Sequence, residues 1–163
     1  MSEPGVLRKD GERRGLRFER FLAAPPDEVW SALTDPERLA RWLAPASIEL
    51  RPGGAVSIDF GEGQAVVGMV LACEPPLLLE YEWRFSGEGE SIVRFELSAH
   101  GDGTALLLDH RLLGAEQATG YGAGWHAHLD LLGDELTGRS GPGWDERFEQ
   151  LLPAYRERAA HLQ

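Results

Sequence analysis

The run LLLEYEWRFSGEGESIVRFELSAHGDGTALLLDHRL, residues 77–112, decides the fold. Its side-chain period is two. Leu77, Leu79, Tyr81, Trp83 and Phe85 alternate with Glu80, Glu82 and Arg84. Val93, Phe95, Leu97 and Ala99 alternate with Arg94, Glu96 and Ser98, and Leu106, Leu108, His110 and Leu112 follow at the same spacing. Successive side chains of a strand point to opposite faces, so each segment reads as a strand with one apolar face. Ser86–Glu90 and His100–Gly103 are short and glycine-bearing, and connections that short force antiparallel neighbours. A hairpin centred on Glu88 sets Tyr81 opposite Phe95, Trp83 opposite Val93 and Glu82 opposite Arg94. A tight turn at Gly101–Asp102 sets His110 opposite Val93.

Outward from this run the same period continues upstream. Val56, Ile58 and Phe60 alternate with Ser57 and Asp59, and Ala65, Val67, Met69, Leu71 and Cys73 share one face of a longer strand. Earlier still the period is helical. Pro25-Pro26-Asp27-Glu28 has the form of a helix start, with proline in the first turn and acids beside it. Asp35-Pro36-Glu37 repeats the signal with Asp35 as N-cap, and Pro45 ends the second short helix. Arg17–Ala23 reads as the first strand, and residues 1–14 as a flexible tail. Downstream, Thr119–Thr137 places Tyr121, Trp125, Leu129, Leu132 and Leu136 on one stripe, with Gly138 at the helix end. Residues 114–124, rich in glycine, read as a soft connector. Trp144–Leu162 is a second amphipathic segment that Pro153 should bend or interrupt. A sheet with one apolar face needs a cover, and the long helix directly after it supplies one, so the class is α+β.

Composition bounds the function. The 163 residues suffice for one domain with a proper core. The net charge of −11 argues against holding a nucleic-acid backbone or an anionic membrane. One cysteine, Cys73, rules out an internal disulfide and a cysteine-rich zinc site. No apolar stretch is long enough to span a bilayer and the first fifteen residues are polar, which points to a cytoplasmic protein. His126 and His128 lie about 200° apart on a helix and cannot grip one metal ion together. No metal or cofactor is expected. Gly120-Tyr121-Gly122-Ala123-Gly124 lacks the parallel strands of a dinucleotide site. There is no nucleophile motif, so no catalytic residue is assigned. Glu80 and Glu82 share a face with Arg84 and Arg94 at hand and read as a solvated charge ladder. His110 has the parity of the apolar face: either a hydrogen-bonded core histidine or a group that orients a ligand or moves a proton.

AAPPDEVWSALTDPERLARWLAP (residues 23–45), the meander and GWHAHLDLL (residues 124–132) together resemble the activator of heat-shock-ninety ATPase homologue group. That group belongs to the START/polyketide-cyclase superfamily, or SRPBCC. The resemblance implies a helix-grip fold over residues 15–138: a curved antiparallel sheet around a long C-terminal helix, with two short helices after the first strand. Residues 139–163 are then a helical extension that packs on the domain, or on a second copy of the chain to make a homodimer. The resemblance also implies an apolar cavity between sheet and helix. The expected function is binding of a small apolar or aromatic metabolite by Trp42, Phe60, Met69, Tyr81, Trp83, Phe95, His110, Trp125 and Leu129. Two alternatives stand beside it: a cyclase/aromatase- or hydrolase-like enzyme using His110 and Tyr81, and a chaperone-related interaction module.

Overall fold

The computed structural model describes residues 2–162; Met1 and Gln163, the ends of the expected tail and extension, lie outside the described residues. Among the described residues the strands are β1 (Val6–Asp10), β2 (Arg13–Leu22), β3 (Ala46–Ile48), β4 (Ala55–Gly61), β5 (Gln64–Glu74), β6 (Leu78–Phe85), β7 (Glu90–His100) and β8 (Gly103–Gly114). The helices are α1 (Pro26–Thr34), α2 (Pro36–Trp42), α3 (Ala118–Thr137) and α4 (Trp144–Ala160). The strands form one antiparallel sheet in the order β1-β2-β8-β7-β6-β5-β4-β3. It carries α3 on its apolar face, with α1 and α2 closing one side. This is the helix-grip fold.

Local chemistry explains the elements. Asp35 caps α2 by accepting from the Glu37 N–H at 3.1 Å, and Pro36 fills the position where a missing donor costs nothing. Gly138 ends α3 in the left-handed conformation, with φ 69°. The inward residues Leu79, Tyr81, Val93, Phe95, Leu97, Leu106 and Leu108 are all buried in the one core cluster that the helices cover.

Five expectations are corrected. Residues 6–10 are not tail: they pair with Arg13–Arg17 as β1, so the short helices follow the second strand. Leu7 packs against the core, and the Arg8 guanidinium grips Asp109 of β8 through two hydrogen bonds, at 2.6 and 3.3 Å. The β6–β7 hairpin is centred on Gly87, not Glu88. Tyr81 therefore faces Val93, Trp83 faces Ser91 and Leu79 faces Phe95. Gly87 takes the positive φ, 80°, that the turn requires. The two-residue slip preserves parity, so the inward face is unchanged. In β5 the inward set is Val66 and Val70, leaving Val67, Met69 and Leu71 on the outer surface. A bulge between Val70 and Ala72 then inverts the alternation and returns Cys73 to the core side. Finally, α4 runs through Pro153 without interruption, and the glycines of residues 118–124 are helical.

The glycines of α3 serve close packing. A Cβ on Gly122 would lie 2.5 Å from the Tyr155 ring of α4. The missing side chain is what lets α4 approach and bury Tyr155 completely.

Candidate functional site

Between the sheet and α3, along residues 120–131 of the helix, lies a cleft of about 890 Å³, open to solvent. That volume suits a small molecule. Five elements build it. The end of α2 supplies Trp42, the β4–β5 hairpin Phe60, and β6 Trp83 and Phe85. α3 supplies Tyr121, Trp125 and His128, and the first turn of α4 supplies Trp144 and Phe148. The rings form a continuous network. Trp83 lies 5.2 Å from Trp125 and 6.1 Å from Phe60, centre to centre. Trp144 stacks on Phe148 at 4.7 Å and leans on His128 at 5.3 Å. The mouth is acidic: Glu62, Glu88, Glu116 and Asp145 stand around it against a single arginine, Arg41.

Of the residues predicted to contact a ligand, Trp42, Phe60, Trp83 and Trp125 line this cleft. Tyr81, Phe95, His110 and Leu129 do not reach it; they are packed core behind the wall, each 2% exposed or less. Met69 is on the opposite surface, because the parity of β5 is the reverse of that expected. His128, Tyr121, Trp144 and Phe148 were not assigned to the site from sequence. The signal available for the last two was an aromatic pair at i, i+4 on a helix that opens after the Gly141-Pro142-Gly143 linker.

His110 is a core histidine with both ring nitrogens in use. The Trp125 indole N–H donates to Nδ1 at 2.9 Å, so Nε2 carries the proton and donates to Ser91 Oγ at 2.7 Å. The Ser91 hydroxyl in turn donates to the Trp83 carbonyl at 3.1 Å. Burial pushes the imidazole down to about 3, so it stays neutral. Tyr81 is sealed alongside, with its phenol raised by burial. The acid–base pair weighed for a cyclase- or hydrolase-like reaction therefore has no access to the cleft.

His126 is buried as well. Residues 2–5 and α4 cover it. The Gly5 N–H donates to the Tyr155 hydroxyl at 2.7 Å, and that hydroxyl donates to His126 Nδ1 at 2.8 Å. Ser2 Oγ accepts from His126 Nε2 at 2.8 Å and donates to Asp130 at 2.6 Å. Every group in this chain is satisfied, which ties the N-terminal segment and α4 to α3. The Glu80 and Glu82 side chains keep only 12% and 11% exposure and are more enclosed than a solvated ladder. Glu80 is held by Arg94 and Arg111, Glu82 by Arg84.

His128 differs from the other two buried rings. Its Nδ1 lies 2.9 Å from the Trp42 carbonyl, which can only accept, so Nδ1 carries the proton and Nε2 is left as a bare acceptor in the cleft wall. Burial lowers its pKa to about 4. Tyr121 accepts from the Trp83 indole at 2.9 Å and gives its own proton to Glu88 at 2.6 Å. Burial and the Glu88 hydrogen bond both raise the phenol, which remains protonated.

Residues 23–137 match the family described as Activator of Hsp90 ATPase homolog 1-like protein. The chain belongs to that family. This places it in the polyketide-cyclase-related SRPBCC group, in agreement with the sequence resemblance. Among solved structures, CalU16 from Micromonospora echinospora is 33% identical over 95% of both chains, with a TM-score of 0.79. DynU16, a protein of the dynemicin biosynthetic locus, is 31% identical over 80% of this chain and 49% of its own, with a TM-score of 0.71. The protein encoded by gene BPP1335 of Bordetella parapertussis is 29% identical over 97% of this chain and 93% of its own, with a TM-score of 0.73. No match was found among curated proteins. The family segment ends at residue 137, so Trp144 and Phe148 of the cleft come from outside it. Among the described residues no helix is long and apolar enough to cross a membrane.

Proposed function

We propose that this family member binds a small, flat, aromatic molecule in the cleft between α3 and the β4–β6 edge of the sheet. The observation that carries the reading is the ring-lined wall: Trp42, Phe60, Trp83, Tyr121, Trp125 and Trp144 all face one opening of about 890 Å³. Aromatic walls bind flat π-systems by offset stacking and by burial of apolar area. The likeness to a protein of the dynemicin biosynthetic locus supports a small biosynthetic molecule as occupant. The wall holds no nucleophile, and its one titratable ring nitrogen is a weak base, so binding fits the site better than turnover.

The test is native mass spectrometry of the full chain after exposure to a small-molecule extract of the source cells. Wild type is expected to hold one small molecule that Trp144→Ala releases, because that change removes one wall without touching the core. An unliganded mass throughout, or an adduct indifferent to Trp144→Ala and Phe60→Ala, refutes the assignment.

A further inference from the structure

The aromatic wall of the cleft has spent its donors. All four indoles in its wall give their N–H groups to the protein itself: Trp42 to the Ala32 carbonyl at 2.7 Å, Trp83 to Tyr121, Trp125 to His110, and Trp144 to the Gly124 carbonyl at 3.2 Å. The Tyr121 hydroxyl proton goes to Glu88, and the His128 Nδ1–H goes to the Trp42 carbonyl. What faces the opening are acceptors: His128 Nε2 in the wall, and the carboxylates of Glu62, Glu88, Glu116 and Asp145 at the mouth. The remaining side-chain donors are the amides of Gln64 and Gln117 and the guanidinium of Arg41, which already bonds Glu135 at 3.2 Å.

We infer that His128 selects the occupant of this cleft by accepting a hydrogen bond at Nε2 from a phenolic hydroxyl, so that the cleft takes neutral or cationic phenols and rejects aromatic carboxylates. The inference rests on the reading of the cleft as a small-molecule site. The physical reasoning is asymmetric satisfaction. A ligand hydroxyl that reaches Nε2 makes a bond the apo protein leaves to solvent, and a ligand that caps Nε2 with a methyl group forfeits it. The Trp42 carbonyl pins the tautomer, so His128 cannot rotate a proton round to greet an anion. A carboxylate would meet acceptors in the wall and like charges at the mouth, which oppose it. His128 is held by Trp125 and Trp144 on either side, at 5.9 and 5.3 Å between ring centres, so the acceptor has a fixed direction.

The test uses three probes of one shape: 2-naphthol, 2-methoxynaphthalene and 2-naphthoate, titrated at neutral pH and followed by the indole N–H cross-peaks of Trp83, Trp125 and Trp144. Wild type is expected to bind naphthol about fivefold more tightly than methoxynaphthalene, the worth of one neutral hydrogen bond, with naphthoate weakest. His128→Phe keeps a ring and removes the acceptor, so it is expected to bring the ratio of naphthol to methoxynaphthalene affinity to about one, whatever it does to either affinity alone. An unchanged preference in His128→Phe overturns the role of His128. So does a wild type that binds all three alike or favours naphthoate, which needs no variant at all. Cross-peaks that no probe moves overturn the small-molecule reading and this inference with it, an outcome distinct from binding without discrimination. The ring ¹⁵N shifts of His128 in the free protein give an independent check: protonated Nδ1 and bare Nε2 are expected, and the reverse tautomer refutes the inference.

Discussion

Lowering the pH from about 7.5 to about 5 should destabilise this protein through buried histidines that fold neutral, His110 and His128 above all, with His126, also lowered by burial, acting in the same direction. An unfolded histidine titrates near 6.5. In the folded chain burial holds His110 down to about 3 and His128 down to about 4. Below about 6.5 the unfolded state therefore takes up protons that the native state refuses, and stability falls with pH until each folded value is reached. Over the interval from 6.5 to 5 each group costs about 1.4 kcal/mol per pH unit, hence about 2 kcal/mol, and the pair about 4 kcal/mol. That is a large part of the 5–15 kcal/mol typical of a domain. Carboxylates do not obscure the effect. Glu49, lowered by the Ala55 N–H and by Arg51, releases its contribution only below the ordinary carboxylate range. Urea unfolding at the two pH values measures the difference. His128→Phe and His110→Leu should each shrink the acid loss by about 2 kcal/mol, whatever they do to stability at neutral pH. The reasoning is refuted by a wild-type loss below about 1 kcal/mol, or by single variants that keep the full loss.

Gly122→Ala should destabilise by about 1–3 kcal/mol, because its Cβ would meet the Tyr155 ring at 2.5 Å. Gly133→Ala on the same helix has open space and should instead stabilise by up to about 1 kcal/mol; thermal melts of the two variants should move in opposite directions. Arg20 points inward beside Phe18 with Nε and Nη2 buried and unbonded. Arg20→Met keeps the packing volume and removes both orphan donors, and should raise stability by about 1–3 kcal/mol in chemical denaturation; a loss of that size would show that its attraction to Asp130 outweighs the desolvation.

Most of the architecture was legible because it is written in local periods. The alternation through β6, β7 and β8 reports burial directly, and the Asp35 cap and the αL glycine at 138 report helix ends, all within one strand or one turn. What escaped depends on contacts remote in sequence. β1 is too short and too polar after Leu7 to show a period, and its ordering rests partly on Arg8 reaching Asp109, over a hundred residues away. The face of β5 inverts at a bulge that leaves no mark in composition. The register of β6–β7 turns on which glycine takes the positive φ, and Gly87 and Gly89 look alike as letters. The site was half legible for the same reason. Inward parity found the aromatic wall but could not separate rings at the cleft from rings packed behind it, and it placed His110 correctly as inward while leaving its partners unknown. His128 was visible only as a helix residue near an apolar stripe. Its importance comes from the Trp42 carbonyl, which no spacing rule connects to it.

The division of the cleft between two parts of the chain has an evolutionary consequence. Three walls belong to the segment that defines the family and also supplies the folding core, so changes there endanger the domain. The fourth wall, Trp144 and Phe148, hangs on a helix joined to α3 by the six residues 138–143 and seated on the core through the fully buried Tyr155. Substitutions at the two aromatic positions leave every sheet contact intact. A lineage can thus widen, narrow or reshape the recess one side chain at a time, with the sheet and α3 held constant. Diversity in what such domains carry should accumulate in the first turn after residue 143 faster than in the scaffold it leans on.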